Sequence, residues 1–378
     1  MKIDSFIVDE NKKELVGGAE VTAVDMETTN IYGDNVVIDI NGVFKKREVV
    51  TTGDFEKLAA TLMMNVRDGI GVRKTGDELL VLLGEESDLD KDGWRVHIKN
   101  HKGSLKVIGK APGGQLCLRD FKATSIDISG LNTSSITSMK QMFECCNAQY
   151  IILAGIDTSN VTDMSYMFHS CKSRFVDMRD VDTSRVTSMK YMFRRCYIRN
   201  IQMDKLDTRN VKTMSHMFAS SNICGIDISQ FDTGNVVDMK GMFSGYVRDE
   251  DLDLSNFNTS QVRVMGGMFA GCCVNNLNLS SFDTSNVYNM QQMFSKTRVD
   301  NINISNFDTS NVITMSDMFS YSDGQLWILG ELCTDAVIDT DAMFADCTIM
   351  SIKCDNKRVN ELFDLYSSFV NKGIRNRR

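Results

Sequence analysis

The sequence has little proline and no long apolar run. A single proline occurs among its 378 residues. The first ten residues include acidic side chains and no apolar stretch of the length found in secretory signals, so they do not have the pattern of one. Since 42% of the residues are apolar, the chain can fill a sizeable core without a membrane span. We therefore expect a globular protein that is cytoplasmic and has no membrane segment.

The motifs of common catalytic sites are also missing. The sequence has no glycine-rich phosphate loop after a strand, no Gly-x-Ser-x-Gly elbow and no His-Glu-x-x-His pair. A partial calcium loop opens at Asp88 but has Lys99 where a closing glutamate is required. We predict no catalytic residue, no metal site and no cofactor. An unfamiliar enzyme within residues 1–105 is a further hypothesis.

What the sequence does contain is a repeat marked by the dipeptide Met-Phe. The pairs begin at Met142, Met167, Met192, Met217, Met242, Met268, Met293, Met318 and Met343. Every step is 25 residues except one of 26. The extra residue falls within residues 244–251, where we expect a bulge or a longer loop.

Each unit has two apolar patterns of different spacing. An alternating pair of apolar residues predicts a short strand with both side chains on one side. The pairs are Ile126/Ile128, Ile151/Leu153, Val176/Met178, Ile201/Met203, Ile226/Ile228, Leu252/Leu254, Leu277/Leu279, Ile302/Ile304 and Trp327/Leu329. A second set at i, i+3, i+6 and i+7 predicts one face of a short helical turn; in one unit it is Val161, Met164, Met167 and Phe168. The sequence thus predicts a repeat solenoid, leucine-rich-repeat-like, with one parallel β-strand and one short helix per 25-residue coil.

The motif Asp-Thr-Ser-Asn-Val, or a close variant, lies between the two patterns, as at residues 157–161 and 308–312. Asp, Thr and Ser side chains bond to nearby backbone amides, which suits a turn that leads into a helix. Calcium binding by the Asp column is the weaker interpretation, because the Gly-Gly-x-Gly-x-Asp spacing is absent. We predict a structural role for this motif and a core role for the Met columns, whose flexible thioethers fill gaps between coils.

The eleven cysteines are odd in number and lack regular pairing motifs, which is typical of a reduced compartment. Five of them share one column, three residues after the repeat phenylalanine: Cys146, Cys171, Cys196, Cys272 and Cys347. Neighbouring coils about 4.8 Å apart bring such residues within disulfide range, roughly 4.4–6.8 Å between Cα atoms. A reducing compartment argues against oxidation. A linear ladder does not converge on one point, so we predict no zinc site.

The repeats resemble the BspA-type leucine-rich repeat family over about 240 residues, in nine or ten copies. A close example is residues 279–294, Leu-Ser-Ser-Phe-Asp-Thr-Ser-Asn-Val-Tyr-Asn-Met-Gln-Gln-Met-Phe. The resemblance implies a parallel right-handed solenoid that binds proteins. It is common on secreted bacterial or protozoan surface proteins and occurs in some phage-encoded ones. It therefore adds a virion or the cell surface as the alternative location.

We expect the solenoid to span residues 116–354 and to be flanked by two other segments. Residues 1–110 lack the repeat and predict a mixed α/β domain; a cap packed on the first coil is the open alternative. The seam lies near Pro112. Residues 355–378 predict a C-terminal capping helix, stopped by Gly373, and a basic tail.

Three elements are predicted within the first segment. Residues 36–40 and 79–83 have the composition of strands. Residues 54–66 have the apolar spacing of an amphipathic helix.

One stretch of the solenoid departs from the repeat in its charge. Residues 172–212 contain eleven Lys or Arg against five Asp, a net charge of +6 in a chain whose net charge is −8. Stacking brings residues 25 apart together, so these charges predict a patch that steers an acidic partner; an ordinary solvated surface is the alternative. The candidate partner-binding residues are Arg174, Arg179, Lys190, Arg194, Arg195, Arg199 and Arg209. Few aromatics beyond Tyr191 and Tyr197 are interleaved with them, which argues against nucleic acid as the partner.

The leading functional hypothesis is a non-enzymatic protein-binding scaffold. In its specific form, a phage- or mobile-element-encoded protein docks on a host protein and inhibits or recruits it. The alternative, which the family resemblance suggests, is a surface or virion attachment protein that recognises a receptor. The sequence does not specify the partner or the oligomeric state.

Overall fold

A computed structural model describes residues 7–9, 14–16, 29–30, 36–38, 44–47, 59, 65–67, 70–83, 102–111, 113–203, 206–223, 226–333 and 336–375. The chain divides into two compact units. Unit 1 comprises Met1–Asp163, Cys171–Arg185 and Ile198–Asp204, and unit 2 comprises Met164–Ser170, Val186–Tyr197 and Lys205–Arg378. Pro112 and the partial calcium loop lie outside the described residues.

The first part of unit 1 contains β1 (Ile7–Asp9), β2 (Glu14–Val16), β3 (Thr29–Asn30), β4 (Val36–Ile38), β5 (Phe44–Arg47), β6 (Asn65–Arg67), β7 (Ile70–Thr75) and β8 (Glu78–Leu83). These strands pair antiparallel as β1-β2, β3-β4-β5 and β6-β7-β8. Strands β4 and β8 confirm two of the elements predicted from the sequence. The predicted helix over residues 54–66 is wrong at its end, because Asn65 and Val66 pair with Val72 and Gly71 in a hairpin. Ala59 is helical, and residues 54–58 and 60–64 lie outside the described residues.

The repeat strands of unit 1 follow β8 and lie in two sheets, a large one that includes β8 and a separate two-stranded one that pairs β10 with β12. They are β9 (Ser104–Lys110), β10 (Gly114–Gln115), β11 (Lys122–Asn132), β12 (Ile136–Ser138), β13 (Asn147–Ile152), β14 (Lys172–Asp177) and β16 (Ile201–Gln202). Pairing is parallel from β8 to β9, β11, β13, β14 and β16 in turn. Strands that precede the repeats thus share a sheet with the first coils, as a cap on the first coil would. The boundary near residue 110 stays a prediction.

The register of the repeat strands follows the 25-residue period. Ile126 pairs with Ile151, Ile151 with Val176, and Val176 with Ile201. Identical positions of successive coils therefore lie side by side, as in a parallel β-solenoid. Strand β15 spans Tyr197–Ile198.

Unit 2 repeats the same parallel arrangement with shorter strands. They are β17 (Asn222–Ile223), β18 (Leu252–Asp253), β19 (Leu277–Asn278), β20 (Asn301–Asn303), β21 (Asp323–Gly330) and β22 (Thr348–Cys354). Strands β18-β19 and β20-β21-β22 pair in parallel. A second parallel ladder of single bridges runs through Ser188, Thr213, Asp238, Val264, Asn289, Thr314 and Asp339. The parallel β-solenoid predicted from the sequence is confirmed.

One predicted strand is replaced by another element. The pair Ile226/Ile228 does not form a strand; a short 3-10 helix, Ile228–Gln230, begins there instead. The Asp227 side chain accepts a hydrogen bond from the Ser229 N–H at 2.9 Å. This bond caps the start of the short helix.

The core consists of columns that run from coil to coil. In unit 2 the repeat phenylalanines from Phe168 to Phe344 are stacked, with ring centroids 5.1–6.0 Å apart. Each of these rings is at most 2% exposed, and the repeat methionines beside them are buried as well. The core role predicted for the Met columns is confirmed. Burying a side chain of this size stabilises the fold by about 1.5–3 kcal/mol per coil.

The short helix predicted for each coil is wrong within the described residues. The segment Met164–Ser170 forms consecutive turns, with the Met167 N–H donating to the Met164 carbonyl at 3.2 Å. Tyr166 and Ser170 have left-handed backbone conformations, with φ of 59° and 55°. An α-helix keeps its N–H groups within the helix, whereas these reversals aim alternate N–H groups at the next coil. The apolar spacing therefore arises from turns.

The Asp-Thr-Ser-Asn-Val motif has the structural role predicted for it. The Asp283 carboxylate accepts the Ser285 N–H at 3.0 Å, which closes a turn. The buried Thr284 hydroxyl donates to the Asp308 carbonyl of the next coil at 2.7 Å. Asn286 donates its side-chain amide to the Ser260 carbonyl of the preceding coil at 2.8 Å. One motif thus ties three coils together.

The 26-residue step is also confirmed as a longer loop. Val247 bridges Cys273, 26 residues on, whereas Leu252 pairs with Leu277, 25 residues on. The extra residue therefore lies between Val247 and Leu252, where the exposed backbone bends at residues 249–250. The neighbouring columns remain in register on both sides.

Unit 2 ends in helix α1 (Lys357–Arg375). Asn356 caps its start by accepting the Val359 N–H at 3.2 Å, and Phe363 packs edge-to-face on Phe344 of the last coil. The helix continues past Gly373, so the predicted stop is wrong; one glycine costs a helix only about 1 kcal/mol. Over the described part of the chain, no helix is long and apolar enough to cross a membrane.

Candidate functional site

The candidate site lies in unit 2, at the turn residue that precedes each Met-Phe pair. Tyr166, Tyr191 and His216 occupy this position in three successive coils, with φ of 59°, 59° and 55°. Each donates its backbone N–H to a carbonyl of the next coil at 2.7–2.9 Å; the acceptors are Lys190, Ser215 and Lys240. The left-handed backbone thus fixes all three side chains in one half-buried column.

The three rings form a continuous stack. The Tyr166 and Tyr191 ring centroids are 4.6 Å apart with an interplanar angle of 20°. The Tyr191 and His216 centroids are 4.7 Å apart with an angle of 8°. Both faces of Tyr191 are therefore covered, and His169 adds an edge contact to Tyr166 at 5.6 Å. Aromatic pairs of this kind contribute about 0.5–1.5 kcal/mol each beyond the area they bury.

Cationic side chains surround the middle ring. The Lys190 Nζ lies 5.3 Å, and the Arg194 Cζ 5.2 Å, from the Tyr191 centroid, within cation–π range. Arg195 is exposed in the same coil. We call Tyr166, Lys190, Tyr191, Arg194, Arg195 and His216 the basic-aromatic face.

Burial and neighbouring charges lower the pKa of His216. Burial lowers the pKa of His216 to about 4, and the charges of Arg194, Lys240 and Lys190 act in the same direction. Asp238 opposes them but does not compensate. His216 is therefore neutral at physiological pH, chiefly because it is partly buried.

The structure brings together some of the predicted partner-binding residues and not others. Lys190 and Arg194 meet at Tyr191 in unit 2. Arg179 in unit 1 and Arg209 in unit 2 are each held by a carboxylate two residues earlier; the Nε of Arg179 is 3.0 Å from Asp177 and that of Arg209 is 2.9 Å from Asp207. Much of the charge of these two arginines is therefore balanced locally.

Arg174 and Arg199 are exposed residues of unit 1. Burial alone would raise the pKa of Asp177, but hydrogen bonds and charge from Arg179 hold that pKa below its ordinary value. The cluster of free charge is thus smaller than the sequence predicts. Its clearest part is Lys190 with Arg194.

The repeats match the family described as Mycoplasma protein of unknown function, DUF285. Three overlapping segments match, residues 117–224, 198–301 and 273–376, and together they cover more than half of the chain. The chain belongs to the DUF285 family. No curated protein and no solved structure matches it.

Two residues of the site in this DUF285 protein were missed by sequence reasoning. Tyr166 and His216 each lie 25 residues from Tyr191, at the position before Met-Phe. That spacing was a usable signal, because residues one period apart are neighbours in a solenoid. It was overlooked because the candidates were selected by charge.

The cysteine column of the DUF285 repeats is buried in the core. Cys146, Cys171, Cys196, Cys272 and Cys347 are all free thiols and at most 4% exposed. Burial raises the pKa of Cys146, Cys196 and Cys272 to about 12. Such thiols stay protonated and react poorly. In the ranges that the structure describes, no group of three metal-ligating side chains converges.

The Asp column engages its own backbone. Asp157, Asp232 and Asp308 each accept the N–H of the residue two positions later at 2.9–3.0 Å. Hydrogen bonds from Ser310 lower the pKa of Asp308. The column thus supports turns.

Proposed function

We propose that this DUF285 chain is a non-enzymatic scaffold that binds an acidic protein through the basic-aromatic face of unit 2. The observation that carries the proposal is the pair of cations, Lys190 and Arg194, held against the stacked ring of Tyr191. Among the described residues, neither cation forms an ion pair with a carboxylate. A fixed aromatic surface with unbalanced positive charge suits an acidic partner.

The distribution of roles within a coil supports the same proposal. The Asp side chains of the repeat motif accept hydrogen bonds within turns, and its Thr and Asn side chains donate to carbonyls of neighbouring coils. The basic-aromatic face differs from coil to coil instead: the position of Tyr191 is Gln292 and Asp317 further along. Side chains that the architecture does not require are available for recognition. Tyr and Arg are also enriched where protein interfaces concentrate their binding energy.

The resemblance to BspA-type repeats, which implies protein binding, agrees with this proposal. The specific form remains a phage- or mobile-element-encoded protein that docks on a host protein. An attachment protein is the competing form. The two differ in the partner that they require, a host intracellular protein or an exposed receptor. Identification of the partner therefore separates them.

The test is affinity purification with the full chain from its native host, followed by binding measurements with the purified partner. The variant carries Lys190→Glu, Arg194→Glu and Arg195→Glu. We expect its affinity to fall by at least about tenfold, because reversed charges repel an acidic surface. The loss should shrink as salt is raised.

The matched control carries Arg263→Glu, Arg298→Glu and Lys353→Glu, three exposed positions elsewhere in unit 2. It changes the net charge by the same amount. We expect it to retain the partner with nearly unchanged affinity. Equal losses in both variants would show that only net charge matters, and the basic-aromatic face would then be rejected as the site.

A further inference from the structure

The aromatic stack of the basic-aromatic face stops at His216, although the column continues. The next two residues of the column are Gly241 and Gly267, with φ of 59° and 64°. The His216 imidazole leans over Gly241, into the space that a Cβ would take. A Cβ on Gly267 would meet only the Ala270 Cβ, at 3.8 Å. The outer side of His216 therefore faces a position without a side chain.

This gap has the dimensions of one aromatic ring. The stacked rings are spaced by 4.6–4.7 Å, close to the spacing of adjacent coils, about 4.8 Å. His216 lies at the level of the Gly241 coil, and the next side chain of the column is Gln292, two coils further on. The interval is about 9.6 Å, or two coil spacings. One planar ring placed midway would continue the stack. We call this interval the ring slot.

A shallow groove of unit 2 borders the ring slot at Gln292. The groove has a volume of about 330 Å³, and Ala270, Gln292, Lys296 and Asp317 are among its lining residues. Ala270 is also the residue nearest to the open position at Gly267. A chain that lies in the groove can thus reach the slot with one side chain.

The charges near the slot define the ligand further. Lys240 directly precedes Gly241, and Arg194 and Lys190 lie on the other side of the His216 ring. The low pKa of His216 agrees with this placement, since burial and these three cations disfavour its protonation. A neutral imidazole offers a flat stacking face, and the surrounding charge favours a ligand that brings carboxylates.

We propose that the ring slot receives one aromatic side chain from an acidic segment of the partner protein, with a carboxylate beside that ring paired to Lys240. This inference rests on the proposed function and specifies the segment that the face recognises. A protein segment fits better than a single-stranded nucleic acid, which stacks successive bases on successive platforms. The interval between His216 and Gln292 is two coil spacings, so the slot admits one ring.

The test uses short synthetic peptides of the form Asp-Glu-Trp-Glu-Asp, with blocked ends, titrated into the full chain. Matched peptides replace Trp by Leu or replace every acid by Lys. Binding is followed by the imidazole NMR signals of His216, which a stacked ring shifts, and by Trp fluorescence. We expect the acidic Trp peptide to bind about fivefold more tightly than the Leu peptide. It should also bind more tightly than the Lys peptide.

Two variants of one position separate stacking from general charge. Gly267→Tyr places a ring in the slot from within; Tyr166 and Tyr191 show that this left-handed position accepts tyrosine. It should abolish the preference for Trp over Leu. Gly267→Ala keeps the slot open and should retain the preference. Thermal melts establish that both variants are folded, and a poorly folded Gly267→Tyr is replaced by Gly267→Gln, which fills the slot without a ring.

Several outcomes would overturn the ring slot. They are equal binding of the Trp and Leu peptides, an unshifted His216 signal, an unchanged preference in Gly267→Tyr, and tighter binding of a poly-dT oligonucleotide than of any peptide. The proposed function fails separately. If Gly267→Tyr keeps the purified partner while the charge-reversed triple variant loses it, the slot is rejected and the scaffold proposal stands.

Discussion

Residues with a left-handed backbone conformation at two positions of the coil determine where its N–H groups point. One precedes the Met-Phe pair and the other comes two residues after it, as Asp317 and Tyr321 do with φ of 55° and 57°. An L-residue in this conformation costs roughly 1–2 kcal/mol. The N–H groups that it turns toward the next coil offset this cost with hydrogen bonds worth about 0.5–1.5 kcal/mol each. Glycine at the same position avoids the cost.

Substitution at Gly241 should cost more than the same substitution at Gly267. Both glycines have positive φ, so Gly→Ala strains both backbones by roughly 1 kcal/mol. At Gly241 the new Cβ also collides with the His216 imidazole. We expect Gly241→Ala to lower the free energy of unfolding by about 1 kcal/mol more than Gly267→Ala does, as measured by urea denaturation.

The control for this comparison is His216→Ala. In that background the collision is gone, so the two glycine substitutions should cost the same. A persistent difference would mean that His216 does not lie over Gly241.

Ser221 is a buried polar residue in the same column as the buried cysteines. Its hydroxyl is buried and, within the described structure, has no hydrogen-bond partner. Ser322 lies four coils further along the same column, and its hydroxyl donates to the Phe294 carbonyl. We expect Ser221→Cys to raise the free energy of unfolding by about 1 kcal/mol and Ser322→Cys to lower it by a similar amount. Chemical denaturation under reducing conditions measures both. Equal effects of the two substitutions would contradict this account.

The low pKa of His216 predicts a loss of stability in acid. Burial and the neighbouring cations lower that pKa from 6.5 to about 4 in the folded state. The neutral form is thus favoured by folding, so its contribution is fully present above pH 6.5 and is lost as the pH falls toward about 4. An NMR titration of the imidazole measures the folded pKa directly.

His216→Phe is the control for this pH dependence. It keeps a ring in the stack but cannot titrate. Its melting temperature should therefore fall less than that of the natural chain across the same pH range. If both chains lose stability equally, protonation of His216 is not the cause.

At the scale of the element, threonine links each coil to the next. The Thr284 hydroxyl is fully buried and donates to the Asp308 carbonyl at 2.7 Å. Thr284→Val preserves the shape but leaves that carbonyl unpaired, so we expect a loss of about 1–3 kcal/mol. Thr162→Val, at an exposed position, should change stability by less than about 0.5 kcal/mol. Hydrogen exchange of the neighbouring amides would show whether the loss is confined to these coils.

The type of secondary structure in each segment was the feature that the sequence predicted least well. The period, the buried Met and Phe columns and the longer loop were predictable, because side-chain burial and chain length determine them. The short helix was predicted wrongly, because apolar spacing at i, i+3, i+6 and i+7 also fits consecutive turns. Tyr166 and Ser170 are neither Gly nor Asn, so their composition does not indicate a left-handed backbone.

The candidate site was predictable to a similar extent. Charge counting identified Lys190 and Arg194, and it identified Tyr191 as one of few aromatics nearby. It could not show that Asp177 holds Arg179, because side-chain direction depends on the turn. The 25-residue spacing of Tyr166, Tyr191 and His216 was a usable signal for the stack, whereas the left-handed backbone that holds their side chains was not predictable.

At the scale of the whole molecule, each coil contacts mainly its neighbours, so a complete coil should be removable. Deletion of residues 283–307 removes 25 residues and rejoins Phe282 to an Asp-Thr-Ser-Asn-Val motif. We expect this chain to fold with a cooperative thermal transition at a somewhat lower temperature. Circular dichroism during heating measures the transition.

Deletion of residues 283–306 is the control, since it removes one residue fewer. The spare Phe307 enters a turn whose hydrogen bonds cross to both neighbouring coils, and a one-residue slip reverses which side chains face the core. This chain should fold poorly. If both deletions fold equally well, the coils are less strictly coupled than the hydrogen bonds imply.

The 26-residue coil has a consequence for how such a chain assembles. Because the coils are nearly identical, a segment can pair with the wrong coil during folding and still form most of its contacts. The longer loop between Val247 and Leu252 marks one location in this otherwise uniform series. A misthreaded chain would set the spare residue against a coil that lacks room for it. We therefore expect the irregular loop to disfavour mispaired coils during folding.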